Sequence, residues 1–138
     1  MKMKLSILSA AILAVLSSPS NAESFSLSAG NYESDEDVVF DSTTYTTSIT
    51  GTANATFNGN FSSTSQSSNA NSWNSAVLVD GGDSRTNPVL NLGSESTNYI
   101  NITSKGPYTI GLWAWKSGQI NVNGDTLTVN VTADATSV

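Results

Sequence analysis

The sequence predicts an all-β fold, the stacked coils of a parallel β-helix. Three observations carry this expectation. First, apolar pairs two residues apart recur in one order: Val77/Val79, Leu90/Leu92 and Ile100/Ile102, then Ile110/Leu112, Ile120/Val122 and Val129/Val131. Three short alternating strands repeated at an offset of about 29 to 33 residues fit successive coils. Second, serine, threonine and asparagine dominate, and no long helix-forming run follows residue 22. Threonine suits a pleated surface, and asparagine and serine hydrogen-bond their own turns. Third, Lys105-Gly106-Pro107, Ser117-Gly118 and Asn123-Gly124-Asp125 punctuate the strands with residues that accept tight turns.

The ends frame this core. Lys2 and Lys4 precede an apolar run from Leu5 to Leu16, and small residues stand at Ser20 and Ala22. This reads as a secretory signal peptide over residues 1–22, cleaved after Ala22 and handled by Sec-type export machinery. Four segments result: the signal; an irregular β segment or first coil over 23–57; a Ser/Asn-rich surface loop over 58–74; and two coils over 75–138, about three coils in all. Within 23–57, Phe25/Leu27, Val38/Phe40, Tyr45/Thr47/Ile49 and Ala53/Ala55/Phe57 alternate with polar residues. The parity places Ile110, Leu112, Ala114, Ile120, Val122, Leu127, Val129 and Val131 inward, with Asn91, Asn101, Asn121, Asn123 and Asn130 outward. A β-sandwich is the alternative, because Asn123-Gly124 between Ile120 and Val131 also signals a hairpin.

Composition excludes several functions. The chain has no histidine and no cysteine, which removes histidine acid–base work, thiol nucleophiles and thiolate metal sites. No serine lies in a G-x-S-x-G context. Without the signal, Arg85, Lys105 and Lys116 face eleven carboxylates, a net charge of about −8, so nucleic acid is not an expected partner. No catalytic residue, metal ligand or cofactor is expected. The cluster Glu33, Asp35, Glu36, Asp37 and Asp41 reads as a solvated segment rather than a cation loop. Asp80 and Asp83, flanking Gly81-Gly82, form a candidate calcium turn, with a plain turn role as the competing reading. Trp113 and Trp115 alternate with inward residues and should stand on the outer face. They are the candidate ligand or partner surface, unless they pack beneath the 58–74 loop against Trp73.

From Tyr108 to Val129 the order is Gly111, Leu112, an aromatic at Trp113, Ala114, then Gly118, a strand ending at Asn123-Gly124, and a second strand from Thr126-Leu127. This pattern resembles the coils of bacterial autotransporter passenger domains, and Ser75 to Ser104 resembles it more loosely. The resemblance implies a right-handed parallel β-helix carried to the cell surface through an outer-membrane barrel of the same polypeptide. It also implies service in adhesion, aggregation or biofilm formation. No barrel strands follow in this chain, so it reads as the N-terminal part of such a passenger, truncated at its C-terminus and not itself inserted in a membrane. The expected function is that of a non-enzymatic adhesin-type passenger segment. It would sit at the cell surface, at the outer membrane or outside the cell, or in the periplasm where a barrel is lacking. Its partner would be a host-surface protein, a glycan or another copy. The alternatives are a piece of a β-helical polysaccharide-acting enzyme and a secreted pilin-like sandwich module.

Overall fold

The computed structural model describes residues 3–4 and 21–133, with side chains from residue 23 onward. Most of the expected signal peptide lies outside the described residues. Its two described pieces are strands β1 (Met3–Lys4), antiparallel to β4, and β2 (Asn21–Ala22), parallel to β5. From Phe25 onward twelve strands follow: β3 (Phe25–Leu27), β4 (Asn31–Ser34), β5 (Val38–Ser42), β6 (Thr47–Thr50), β7 (Asn54–Phe57), β8 (Phe61–Gln66), β9 (Asn74–Asp80), β10 (Val89–Leu92), β11 (Ile100–Gly106), β12 (Thr109–Trp115), β13 (Gln119–Val122) and β14 (Leu127–Ala133). Every third strand stacks on the same face. The faces are β4-β7-β10-β13, β5-β8-β11-β14 and β3-β6-β9-β12, and all nine pairings among these strands are parallel. The fold is a parallel β-helix, with three coil-to-coil steps along each face.

The sandwich alternative fails at the turn that suggested it. Gln119–Val122 and Leu127–Ala133 lie in different sheets, each parallel to the coil before. Asn123-Gly124 therefore turns the chain from one face to the next rather than folding it back. The surface loop expected over residues 58–74 is also corrected, because Phe61–Gln66 is a strand held between β5 and β11. Its inward residues are Phe61, Ser63 and Ser65, all buried. Two of the three are hydroxyls, so no apolar alternation marks the strand.

The interior has two chemistries. In the first two coils Phe25, Tyr32, Phe40, Phe57 and Phe61 form one aromatic cluster with ring centroids 5.0–5.9 Å apart. Val77, Val79, Leu90, Leu92, Ile100 and Ile102 continue it as an aliphatic core. The second chemistry replaces the expected unbroken apolar interior at the corner between the β5-β8-β11 and β6-β9-β12 faces. There Thr47 Oγ1 lies 2.9 Å from Ser63 Oγ, which donates to the Ala76 carbonyl at 2.7 Å. Thr46 Oγ1 donates to the Thr64 carbonyl at 2.7 Å, and the Ser65 hydroxyl donates to Asn74 Oδ1. A strand bending at a corner cannot keep all its backbone groups in the ladder, and short polar side chains supply the missing partners. No buried side-chain nitrogen or oxygen among the described residues lacks a partner.

The last coil covers the core on one side only. Leu112, Ile120 and Val122 are partly buried against it, whereas Leu127, Val129 and Val131 are exposed. These three continue the inward rows of β11, pairing with Ile100, Ile102 and Ser104. Their exposure reflects position at the end of the stack, not a change in parity.

Tyr32 gives the fold an alkaline limit. Burial pushes its phenol above the ordinary range, Glu36 adds to the shift, and a hydrogen bond with Ser34 opposes it. The fold thus favours the protonated phenol. Its contribution is whole below the unfolded value of about 10 and is lost as pH rises through the folded value. Tyr32→Phe should flatten this loss of stability above about pH 10. Denaturant melts at several alkaline pH values check this, since the other tyrosines, Tyr45, Tyr99 and Tyr108, are exposed.

Candidate functional site

The outer side of the β3-β6-β9-β12 face changes character from coil to coil. One column runs Ser26, Ser48, Leu78, Trp113, and its neighbour runs Thr50, Asp80, Trp115. The two tryptophans lie two residues apart on one strand, which points both side chains outward and within reach of each other. Their rings stack, with centroids 4.8 Å apart and planes 12° from parallel. The outward placement expected from the sequence is what the structure has, though the inward rule behind it needs correction. Gly111, not Ile110, is the buried residue beside Leu112, and a Cβ on it would come within 2.6 Å of Val129 Cγ1. Four consecutive residues of the strand below, Asn74 to Val77, are likewise buried. The alternation breaks there because the strand bends around the polar corner, and it resumes in time to turn Trp113 outward. Ala114, on the inward side, is exposed because it belongs to the uncovered last coil.

Two further aromatics complete the strip, and the strand register explains their meeting. Asn74 pairs with Thr109, so the residues just before them, Trp73 and Tyr108, are brought side by side at the mouths of β9 and β12. Their rings meet edge to face at 5.5 Å, and Trp73 meets Trp113 edge to face at 6.2 Å. Trp113 thus packs against Trp73, but the contact buries neither strip end. Trp73 is 52% exposed, Trp115 46% and Tyr108 40%. Tyr108 is not among the site residues that the sequence marks. The available signal was an aromatic directly before the strand in both coils.

No protein-family model, curated protein or solved structure matches the chain.

At its far end the strip meets charge. Lys116 Nζ sits 5.1 Å over the Trp115 ring and 2.8 Å from Asp83 Oδ1. The hydrogen-bonded ammonium holds the Asp83 carboxyl below the usual carboxylate range, and the carboxylate raises Lys116 in turn. Both groups are open to water, so the pair orients Lys116 more than it stabilises the fold. Asp80 accepts a 2.8 Å hydrogen bond from the Gly82 amide, as an aspartate closing its own turn does. The turn reading of Asp80 and Asp83 thus matches the geometry, with one carboxylate capping backbone and the other facing an ammonium. Gly81 between them is required by close approach, since a Cβ there would lie 1.8 Å from the Lys116 carbonyl oxygen. Among the described residues no group of three or more Asp, Glu, His or Cys side chains is gathered to hold a metal ion.

The acidic cluster serves the stack. Asn58 Nδ2 donates to Glu33 Oε1 at 3.1 Å and to Asp35 Oδ1 at 2.9 Å, and Asp37 Oδ1 accepts from the Asn60 amide at 2.9 Å. One coil up, Asn60 Oδ1 accepts from the amides of Asn98 and Tyr99. Carboxylate and amide side chains thus tie successive turns together along one edge of the helix.

Proposed function

We propose that this chain is a non-enzymatic, exported passenger-type segment of the autotransporter kind, working in adhesion at a cell surface. The observation that carries the reading is the strip Tyr108-Trp73-Trp113-Trp115 on a parallel β stack, in which Trp113 is half-buried and the other three rings are exposed. Contiguous exposed aromatics on an otherwise Ser/Thr/Asn surface mark a contact site, because they bury large area at little entropic cost. The absence of histidine and cysteine from the sequence and the engagement of Asp80 and Asp83 in a turn and an ion pair favour binding over catalysis. The signal-like N-terminus and the passenger-like pattern over Tyr108 to Val129 favour export. The partner would be a host-surface protein, a glycan or a second copy.

Beads coated with the processed chain should adhere to cell surfaces, and Trp113→Ala/Trp115→Ala should lower bead retention about tenfold, the scale of one contact worth 1.4 kcal/mol. Circular dichroism confirms that the variant is folded. Retention equal to that of uncoated beads, or equal retention by wild type and variant, would reject the reading.

A further inference from the structure

We infer that the hollow beside Trp73 is a subsite for a neutral pyranose, and that the sugar stacks on Trp73 rather than on the Trp113/Trp115 pair. This rests on the adhesion reading and names its ligand class. The hollow holds about 320 Å³ and is lined by Ala70, Asn71, Ser72, Trp73 and Tyr108. That volume is at the small end of ligand sites, about 300–1,000 Å³, which suits one or two sugar rings.

Four features select the ligand. Trp73 is half exposed although it packs at steep angles against both Tyr108 and Trp113, and such neighbours restrict its rotamers before binding, which lowers the ordering cost. A pyranose offers one face of C–H groups to such a ring and a rim of hydroxyls around it. The Asn71 amide and the Ser72 hydroxyl line the same hollow and can donate to and accept from that rim. Neither side chain is hydrogen-bonded to another residue among those described. Finally, no charged residue lines the hollow, and a chain carrying about −8 after the signal repels anionic sugars.

The stacked pair is the poorer platform despite its exposure. One face of Trp115 is covered by Trp113 and its ring is capped by the Lys116 ammonium. A sugar would have to displace one of them.

Ligand-observed saturation-transfer NMR on the processed chain, with lactose, maltose and cellobiose as neutral probes and sialyllactose as the charged one, tests the proposal. At least one neutral disaccharide should give a saturable signal, weakened about tenfold by Trp73→Ala. Tyr108→Ala and Asn71→Ala should weaken it as well, and Val39→Ala, exposed on β5 outside the strip, should leave it within about twofold. Asn71→Ala keeps the aromatic strip intact, so its loss of signal reports the hollow even if Trp73→Ala disturbs the loop. Absence of signal from all three neutral probes, an unchanged signal in Trp73→Ala, or a stronger signal from sialyllactose would overturn the subsite. Bead retention distinguishes the two readings: adhesion without sugar binding sinks the subsite alone, whereas failure of both sinks the adhesion reading with it.

Discussion

Phe57→Ala is expected to destabilise the fold by about 3–5 kcal/mol, the cost of removing a phenyl ring from a closed core. Phe57 is fully buried at the end of β7. Its ring touches those of Phe25 at 5.1 Å, Tyr32 at 5.5 Å, Phe40 at 5.8 Å and Phe61 at 5.1 Å, so it joins residues from all three faces and the first two coils. The backbone around it is locked into parallel ladders on both sides, with Ser34 below and Leu92 above, and cannot collapse into the cavity. A domain of ordinary stability has about 5–15 kcal/mol in hand, so one substitution removes about a fifth of it or more. Equilibrium urea unfolding followed by circular dichroism measures the loss. Trp115→Ala, which empties no cavity, should cost under about 1 kcal/mol in the same assay. Similar losses at the two positions would contradict an aromatic core centred on Phe57.

Part of this structure was legible in the sequence for a reason of parity. Leu90 and Leu92 pair with Ile120 and Val122 as their alternation suggests, but the other two faces slip. Val77 pairs with Leu112 rather than Ile110, and Ile102 with Val129 rather than Val131. A slip of two residues keeps every side chain on its side of a strand, so the inward rows were right over most of the core although the partners were not, and they failed at Ile110, where Gly111 is buried instead. A slip of one would have turned the core inside out. Illegible from hydropathy was β8, because Ser63 and Ser65 enter the interior as hydrogen-bonding groups and look in the sequence like a solvated stretch. The hollow beside Trp73 was hidden for a different reason. Trp73 and Tyr108 are 35 residues apart, and only the pairing of Asn74 with Thr109 makes them neighbours.

The polar corner carries the second large effect. Asn74→Leu keeps the branched skeleton of the side chain but replaces its amide oxygen and nitrogen with bulkier methyl groups, and should cost at least about 1–3 kcal/mol, the penalty for stranding buried polar groups. Asn74 is buried; its Oδ1 accepts from the Ser65 hydroxyl, and its Nδ2 donates to the Lys105 carbonyl at 3.3 Å and to Thr109 Oγ1 at 3.5 Å. It therefore links β8, β9, β11 and β12 at a single point. Leucine offers none of these partners. Ser65→Ala strands Asn74 Oδ1 and releases the Thr43 carbonyl, which belongs to an exposed residue that water can reach, so it should cost less. The two losses should not add. With both groups gone no unpaired donor faces an unpaired acceptor at that junction, and the double variant should be more stable than the summed single losses by about 0.5–3 kcal/mol. Four urea melts complete the cycle. Strict additivity would mean that Ser65 and Asn74 stabilise the corner independently, and the hydroxyl–amide seam would then be a set of separate contacts rather than the joint that closes this face of the helix.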